Sequence, residues 1–260
     1  MDQEAHQPPK NEAVRRVAFF GGSFDPPHLG HLAIARAAQA ALALDTVLFA
    51  PVGAQPLKPR GSTAAFAHRV EMTRLAIADE PGFALSLADA PQPSGAPNYT
   101  LETLLKLRAE LPPRCELFCL MGADSFAAFR RWHRAAEIPF AASLIVASRP
   151  GENLNDLQGA LPAGLSIVAI PDQDDPQDNG TLEQLKDQIQ LRWYILRNPA
   201  GEQAPFFMLP NLEIEISASA IRQQIRASAQ APRPERALLP APVLEYIRAH
   251  NLYRDLPRRD

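Results

Sequence analysis

The 260-residue sequence predicts an α/β fold, a doubly wound parallel sheet with a helical C-terminal part. Three observations predict it. Short apolar runs alternate with segments whose apolar residues recur at helical spacing, the order that covers a parallel sheet with helices on both faces. The first apolar run ends in a glycine turn that opens a helix, as in the phosphate-binding turns of doubly wound sheets. Two helical segments, SASAIRQQIRAS and APVLEYIRAHNLY, come late in the chain.

Element by element, VRRVAFF (Val14 to Phe20) reads as a strand stopped by Gly21 and Gly22. The alanine-rich LGHLAIARAAQAALAL reads as a helix, with Asp25 the expected cap and Pro26 at the first helical position, where a missing N–H is harmless. TVLFAPV is a second strand, and STAAFAHRVEMTRLAIADE a helix opened by a Ser/Thr cap. FALSLADA, CELFCLMG and SLIVASRP follow as strands three to five, separated by the helix TLETLLKLRAEL and a short helix around SFAAFRRW. Between Arg149 and Asn211 the pattern weakens. PDQDDPQDNG is an acidic, aperiodic loop, Gln158 to Gly180 reads as a surface insertion, and TLEQLKDQIQLRWYIL as an amphipathic helix. LEIEIS then resumes the strands, ahead of the two late helices. Residues 1–13 read as a disordered tail, leaving one domain over 14–260 with an insertion around 151–210.

Hydrophobic residues make up 46% of the chain and the net charge is −3, so no global field points to nucleic acid or to a membrane. The polar N-terminus and the absence of an apolar run of membrane-spanning length set the expectation of a cytoplasmic protein. Cys115 and Cys119 would lie about 13 Å apart on one strand, too far for a disulfide, and are expected as reduced thiols without a metal.

The stretch GGSFDPPHLGH, Gly21 to His31, packs three glycines, two prolines and two histidines into eleven residues. The glycines let backbone N–H groups approach an anion, and the helix that follows adds unpaired N–H groups and the positive end of its dipole. His28 and His31, three apart, share one helix face. Singly, each reads as a surface histidine. Two imidazoles at a helix start are disfavoured when protonated unless an anion sits above them, and the set with its glycines points to a phosphate. The glycine spacing of the dinucleotide fingerprint is missing, as is the Gly-Lys-Ser/Thr of the P-loop.

That stretch resembles the GxFxPxHxGH signature of the nucleotidyltransferase superfamily, with Gly22, Phe24, Pro26, His28, Gly30 and His31 in register. ISASAIR, Ile216 to Arg222, is similar to the superfamily's ISSTxIR segment, with Ala218 in place of a serine. Ser217 and Ser219 are suited to cap a helix, and Arg222 offers a rigid fork for phosphate oxygens. NYTLETLLKL resembles SYTxDTLxxL, LMGADSFAAFRRWHRAAEI resembles GxDSxxxxxxWxxxxxI, and VLEYIRAHNLY resembles the C-terminal ending of the bacterial nicotinate-nucleotide adenylyltransferases. The likeness covers Val14 to about Pro150 and Leu212 to Tyr253.

The resemblance implies a Rossmann-like nucleotidyltransferase fold and attack of the phosphate of nicotinate mononucleotide on the α-phosphorus of ATP, releasing pyrophosphate. His28, His31 and Arg222 would be catalytic. Gly21, Gly22, Ser23, Phe24, Lys58, Gly122, Asp124, Ser217 and Ser219 would join Arg222 around ATP and its phosphates. Trp132 would stack on the pyridine ring, while Thr100 and His133 would present backbone N–H groups to the nicotinate carboxylate. Mg²⁺ would arrive on ATP and leave with pyrophosphate, with no metal site of the protein's own. Glu102 stands where the family has Asp, and AQPLKP approximates a PPHK loop with Leu57 for its histidine. Three other readings stay open on the residues alone. A pantetheine-phosphate or cytidylyl transferase would share the two histidines but lack the Thr100 and Trp132 segments. A class I aminoacyl-tRNA synthetase would need a KMSKS-like loop beside HLGH. A nucleotide-binding module would bind ATP without releasing pyrophosphate.

Overall fold

The computed structural model describes residues 14–57, 61–147, 154–168, 191–209, 216–227 and 238–254. Its centre is one eight-stranded sheet in the order β3-β2-β1-β4-β5-β8-β7-β6. The strands are β1 (Arg15–Gly22), β2 (Thr46–Pro51), β3 (Phe83–Leu85), β4 (Cys115–Gly122), β5 (Ser143–Ala147), β6 (Ser166–Val168), β7 (Arg192–Arg197) and β8 (Gln203–Leu209). Strands β1 to β5 and β8 pair in parallel, and β7 runs antiparallel to both β8 and β6. The chain steps from β1 outward to β2 and β3, then returns across β1 to β4 and β5. The crevice beyond the carboxyl ends of β1 and β4 is therefore the switch point where doubly wound sheets take ligands.

The helices are α1 (Leu29–Leu42), α2 (Phe66–Ala76), α3 (Thr100–Glu110), α4 (Ala123–Ala127), α5 (Ile138–Ala141), α6 (Leu154–Ala160), α7 (Ala218–Ala227) and α8 (Ala241–Ala249). Alternation along β1 divides them between the two faces. Ala18 and Phe20 point into a core shared with Leu32 of α1, Met72 of α2, Ile221 of α7 and Val243 of α8. Val17 and Phe19 point to the other core, with Leu104 of α3, Phe126 of α4, Ile138 of α5 and Leu157 of α6. Burying both faces is what makes these strands near-continuous apolar runs.

Four expectations are corrected. Helix α1 begins at Leu29 with His28 as its N-cap, not at Pro26 with Asp25 as its cap. Asp25 instead accepts from the N–H groups of Thr63 (2.6 Å) and Ala64 (3.0 Å), so these two residues precede α2, which starts at Phe66 after Ala65 without a side-chain cap. The segment RWYILR is strand β7, not the end of a helix. Its partner is β8, joined through the turn Asn198 to Gly201, where Gly201 takes φ +85. Aromatic and branched side chains that fit a helical spacing also fit a pleated hairpin, and the pairing decides. Finally, Gln158 to Leu165, though exposed at Gln158, Gly159, Ala163 and Gly164, is anchored to the core. Leu161 and Leu165 are buried beside Leu157, and the Gln158 amide bridges the Leu165 carbonyl (3.0 Å) and the Ile167 N–H (2.9 Å). The span 151–210, expected as an insertion, thus contributes β6, β7 and β8 to the main sheet.

The polar tail over residues 1–13, the PDQDDPQDNG loop and LEIEIS up to residue 215 lie outside the described residues. Both cysteines are free. Burial pushes the Cys119 thiol up to about 12, and it stays protonated.

Candidate functional site

The turn after β1 is tightly built. A Cβ on Gly21 would lie 2.8 Å from the Phe19 ring and one on Gly22 3.1 Å from the Phe24 ring, so a side chain at either position would have to displace a ring. Phe24 sits at φ +46, a left-handed backbone that costs a branched or bulky residue on the order of 1 kcal/mol. Its ring holds it there, packed edge-on against Phe20 (5.6 Å) and His31 (5.0 Å). The Ser23 hydroxyl donates to the Gln55 amide oxygen at 3.1 Å, tying the turn to the loop after β2.

His28 and His31 meet at the head of α1. Their rings stack with centroids 3.7 Å apart, and the His28 N–H donates to His31 Nδ1 at 3.1 Å. With Nδ1 accepting, a neutral His31 carries its proton on Nε2. Burial lowers the His28 pKa to about 4, and its Nδ1 has no hydrogen-bond partner among the described residues. It faces the His31 backbone N–H across the head of α1, outside good hydrogen-bond geometry.

Asp25 gathers three distant segments. Besides Thr63 and Ala64, its carboxylate accepts from the Tyr253 hydroxyl at 2.8 Å. Arg222 of α7 donates from Nη1 to the Asp25 carbonyl oxygen at 2.7 Å and lies 3.9 Å from its carboxylate. Arg222 Nη2 donates to Ser219 Oγ at 3.1 Å, and the Ser217 carbonyl accepts from Ile221 N–H in the first turn of α7. Arg69 of α2, fully buried, donates to the carbonyls of Ser23 (2.7 Å) and Val52 (2.8 Å). These contacts bring the two signature motifs, 197 residues apart, to one place.

A second cluster lies around the start of α3. The rings of Tyr99 and His133 are 4.3 Å apart, and His133 Nε2 and Arg134 Nη1 each lie 3.7 Å from Glu102 Oε1. Trp132 is half-buried, edge-on to Phe129 at 5.5 Å. Thr100 is the first residue of α3, where the helix leaves its N–H groups without intrahelical partners. Beneath them Thr103 donates to the buried Asp89 carboxylate at 2.8 Å, and burial raises the Asp89 pKa to about 6. The loop after β2 joins this cluster to the turn: Gly53 N–H donates to the Asp89 carbonyl and Ala54 N–H to Asn98 Oδ1, at 2.7 and 2.9 Å. Gly122 ends β4, and exposed Asp124 stands in the first turn of α4.

The structure thus brings Gly21, Gly22, Ser23, Phe24, His28, His31, Ser219 and Arg222 to one turn, and Thr100, Trp132 and His133 to a second cluster. Lys58 lies outside the described residues. Sequence reasoning missed Arg69, Asp89, Asn98 and Tyr253. Arg69 left a trace, as a charge on the inward face of a helix; a buried Asp89 after a strand left none. Among the described residues no group of three His, Cys, Asp or Glu could hold a metal ion.

The profile of the cytidylyltransferase-like family matches residues 19–224. Among curated proteins, one from Stenotrophomonas maltophilia is 39% identical over 91% of this chain and 96% of its own length. Another from Gloeobacter violaceus is 35% identical over 93% and 97%. Both are named "Probable nicotinate-nucleotide adenylyltransferase". Among solved structures, the nicotinic acid mononucleotide adenylyltransferase of Plasmodium falciparum, complexed with NaAD, matches with a TM-score of 0.61 at 14% identity, over 92% of this chain and 97% of that one. At that identity the likeness concerns the fold.

Proposed function

Since the chain belongs to the nicotinate-nucleotide adenylyltransferase family, within the cytidylyltransferase-like proteins, we propose that it transfers the adenylyl group of ATP to nicotinate mononucleotide. The products are nicotinate adenine dinucleotide and pyrophosphate, a step of NAD biosynthesis. The observation that carries the reading is the stacked His28–His31 pair at the switch point, met there by Arg222 of the second motif.

No protein nucleophile is needed. The attacking phosphate monoester, with a second pKa near 6, is already largely dianionic at neutral pH. The protein's task is to hold two polyanions in line and to stabilise charge growing on the α,β-bridging oxygen and the equatorial oxygens. His31, protonated on Nε2, is a donor toward that oxygen, and the neutral ring of His28 stacks beside it. The positive end of the α1 dipole faces the phosphate oxygens, with Ser23, Ser217, Ser219 and Lys58 around them and Asp124 on the nucleoside hydroxyls. The divalent cation of the reaction, Mg²⁺, rides on the triphosphate and neutralises pyrophosphate charge. No described helix is long and apolar enough to cross a membrane, and we place the enzyme in the cytoplasm, where ATP is supplied.

The acceptor is selected by its carboxylate. Trp132 stacks on the pyridine ring of the nicotinate and nicotinamide nucleotides alike; the N–H groups of Thr100 and His133 suit a carboxylate but oppose one side of an amide. A donor left facing a donor costs about 1–3 kcal/mol, and loss of the charge-assisted bond adds to it, for a preference on the order of 10² or more in kcat/KM. Pyrophosphate release with ATP and each mononucleotide tests this. Equal rates would refute the carboxylate assignment, and release with neither would refute the reaction.

A further inference from the structure

Tyr253 lies far from the phosphate turn in sequence and inside it in space. It follows α8, takes φ +64, and is buried, with its ring in the core that α8 shares with α1 and α2. Its hydroxyl donates to Asp25 Oδ1 at 2.8 Å, the same oxygen that accepts from the Ala64 N–H, while Oδ2 accepts from the Thr63 N–H. Asp25 in turn carries Arg222, which donates to its carbonyl oxygen at 2.7 Å and faces Oδ2 at 3.9 Å. These contacts and the bond to Ser219 engage two of the guanidinium nitrogens. The rest of a five-donor fork stays available to a ligand.

From this chain of contacts we propose that Tyr253 is a positioning residue for adenylyl transfer: its hydroxyl fixes Asp25, and through Asp25 sets the Arg222 guanidinium where the triphosphate meets it. The inference rests on the reading of Arg222 as a phosphate ligand and names what aims it. Two features separate it from packing alone. Apart from a long contact with Met72 Sδ at 3.9 Å, the hydroxyl is spent on a carboxylate that two backbone N–H groups already hold, and the pairing lies outside the apolar packing of the ring. A third donor on one carboxylate removes its remaining freedom to turn away from the arginine. Burial also drives the Tyr253 hydroxyl far above its ordinary pKa, so it remains a donor wherever the enzyme works.

The test is a double-mutant cycle of Tyr253→Phe and Arg222→Ala, read in kcat and in KM for ATP, with thermal melting alongside. Tyr253→Phe should lower kcat/KM for ATP about tenfold in the wild-type background and leave it within about twofold in the Arg222→Ala background, because the arginine it aims is gone. Equal losses in both backgrounds would overturn the proposal, since Tyr253 would then act without Arg222. So would a lowered melting temperature with kcat/KM intact, the mark of packing only. An Arg222→Ala enzyme with unchanged kinetics would instead overturn the phosphate role of Arg222 itself, and that single variant reports it before the cycle is closed.

Discussion

The buried imidazole of His28 makes a quantitative demand on stability. Its native pKa of about 4 lies below the ordinary 6.5 because burial penalises the charged ring. Below pH 6.5 the unfolded chain takes up a proton that the native state refuses, so stability is lost as pH falls toward 4; above pH 6.5 both states are neutral and the group has no effect. Integration over that window gives a loss of about 2 kcal/mol at pH 5 and a limit of about 3 kcal/mol below pH 4. His28→Asn keeps a good helix N-cap and removes the titration. Urea unfolding at pH 8 and pH 5, at constant ionic strength, should show the wild type losing about 2 kcal/mol more than the variant between the two pH values. Parallel losses would mean that His28 is protonated or solvated in the native state, and the argument for a buried neutral ring at the head of α1 would fall with it.

Asp89 runs the other way: its carboxyl is raised to about 6 by burial, so the native state gains stability as pH falls through 6 toward 4, and Asp89→Asn should raise stability at pH 8 by a larger margin than at pH 5 in the same urea assay. His31→Ala should cut kcat by a factor on the order of 10² or more with KM values little changed, because its donor acts on charge that grows in the transition state; steady-state kinetics with near-normal kcat would remove His31 from the mechanism. Trp132→Ala should lower kcat/KM about tenfold for the nicotinate and nicotinamide nucleotides alike and keep their ratio, and a changed ratio would show that the ring, not the backbone donors, reads the acid group.

The parallel half of the sheet was legible because its strands are buried on both faces and stand out as apolar runs between helical patterns. CELFCLMG and TLETLLKLRAE are observed as β4 and α3. The turn after β1 was legible because paired glycines after an apolar run mark a break in the strand, and a Cβ at either would crowd a phenylalanine ring. The helix caps were not. Asp25 has the residue type of a cap, but its carboxylate is claimed by Thr63, Ala64 and Tyr253, partners that only the fold assembles. The same holds for β7 and β8. RWYILR satisfies two periods, and RNPAGEQ, a turn in plain view between two apolar runs, was the signal for a hairpin. Tyr253 was visible only as part of an ending that resembles a family; nothing local ties a tyrosine near one end of a chain to an aspartate near the other.

The separation of 228 positions from Asp25 to Tyr253 has a consequence for synthesis. At roughly 5–20 residues per second, a ribosome that has finished the first motif works for about 10–45 s before it adds the donor that closes it. Through that interval both signature motifs are already made, and Arg222 can reach the Asp25 carbonyl before the hydroxyl that holds the Asp25 carboxylate exists. A chain cleaved before Tyr253 would keep both motifs and lack that donor. The turn that meets the nucleotide is closed by one of the last-made of its described parts.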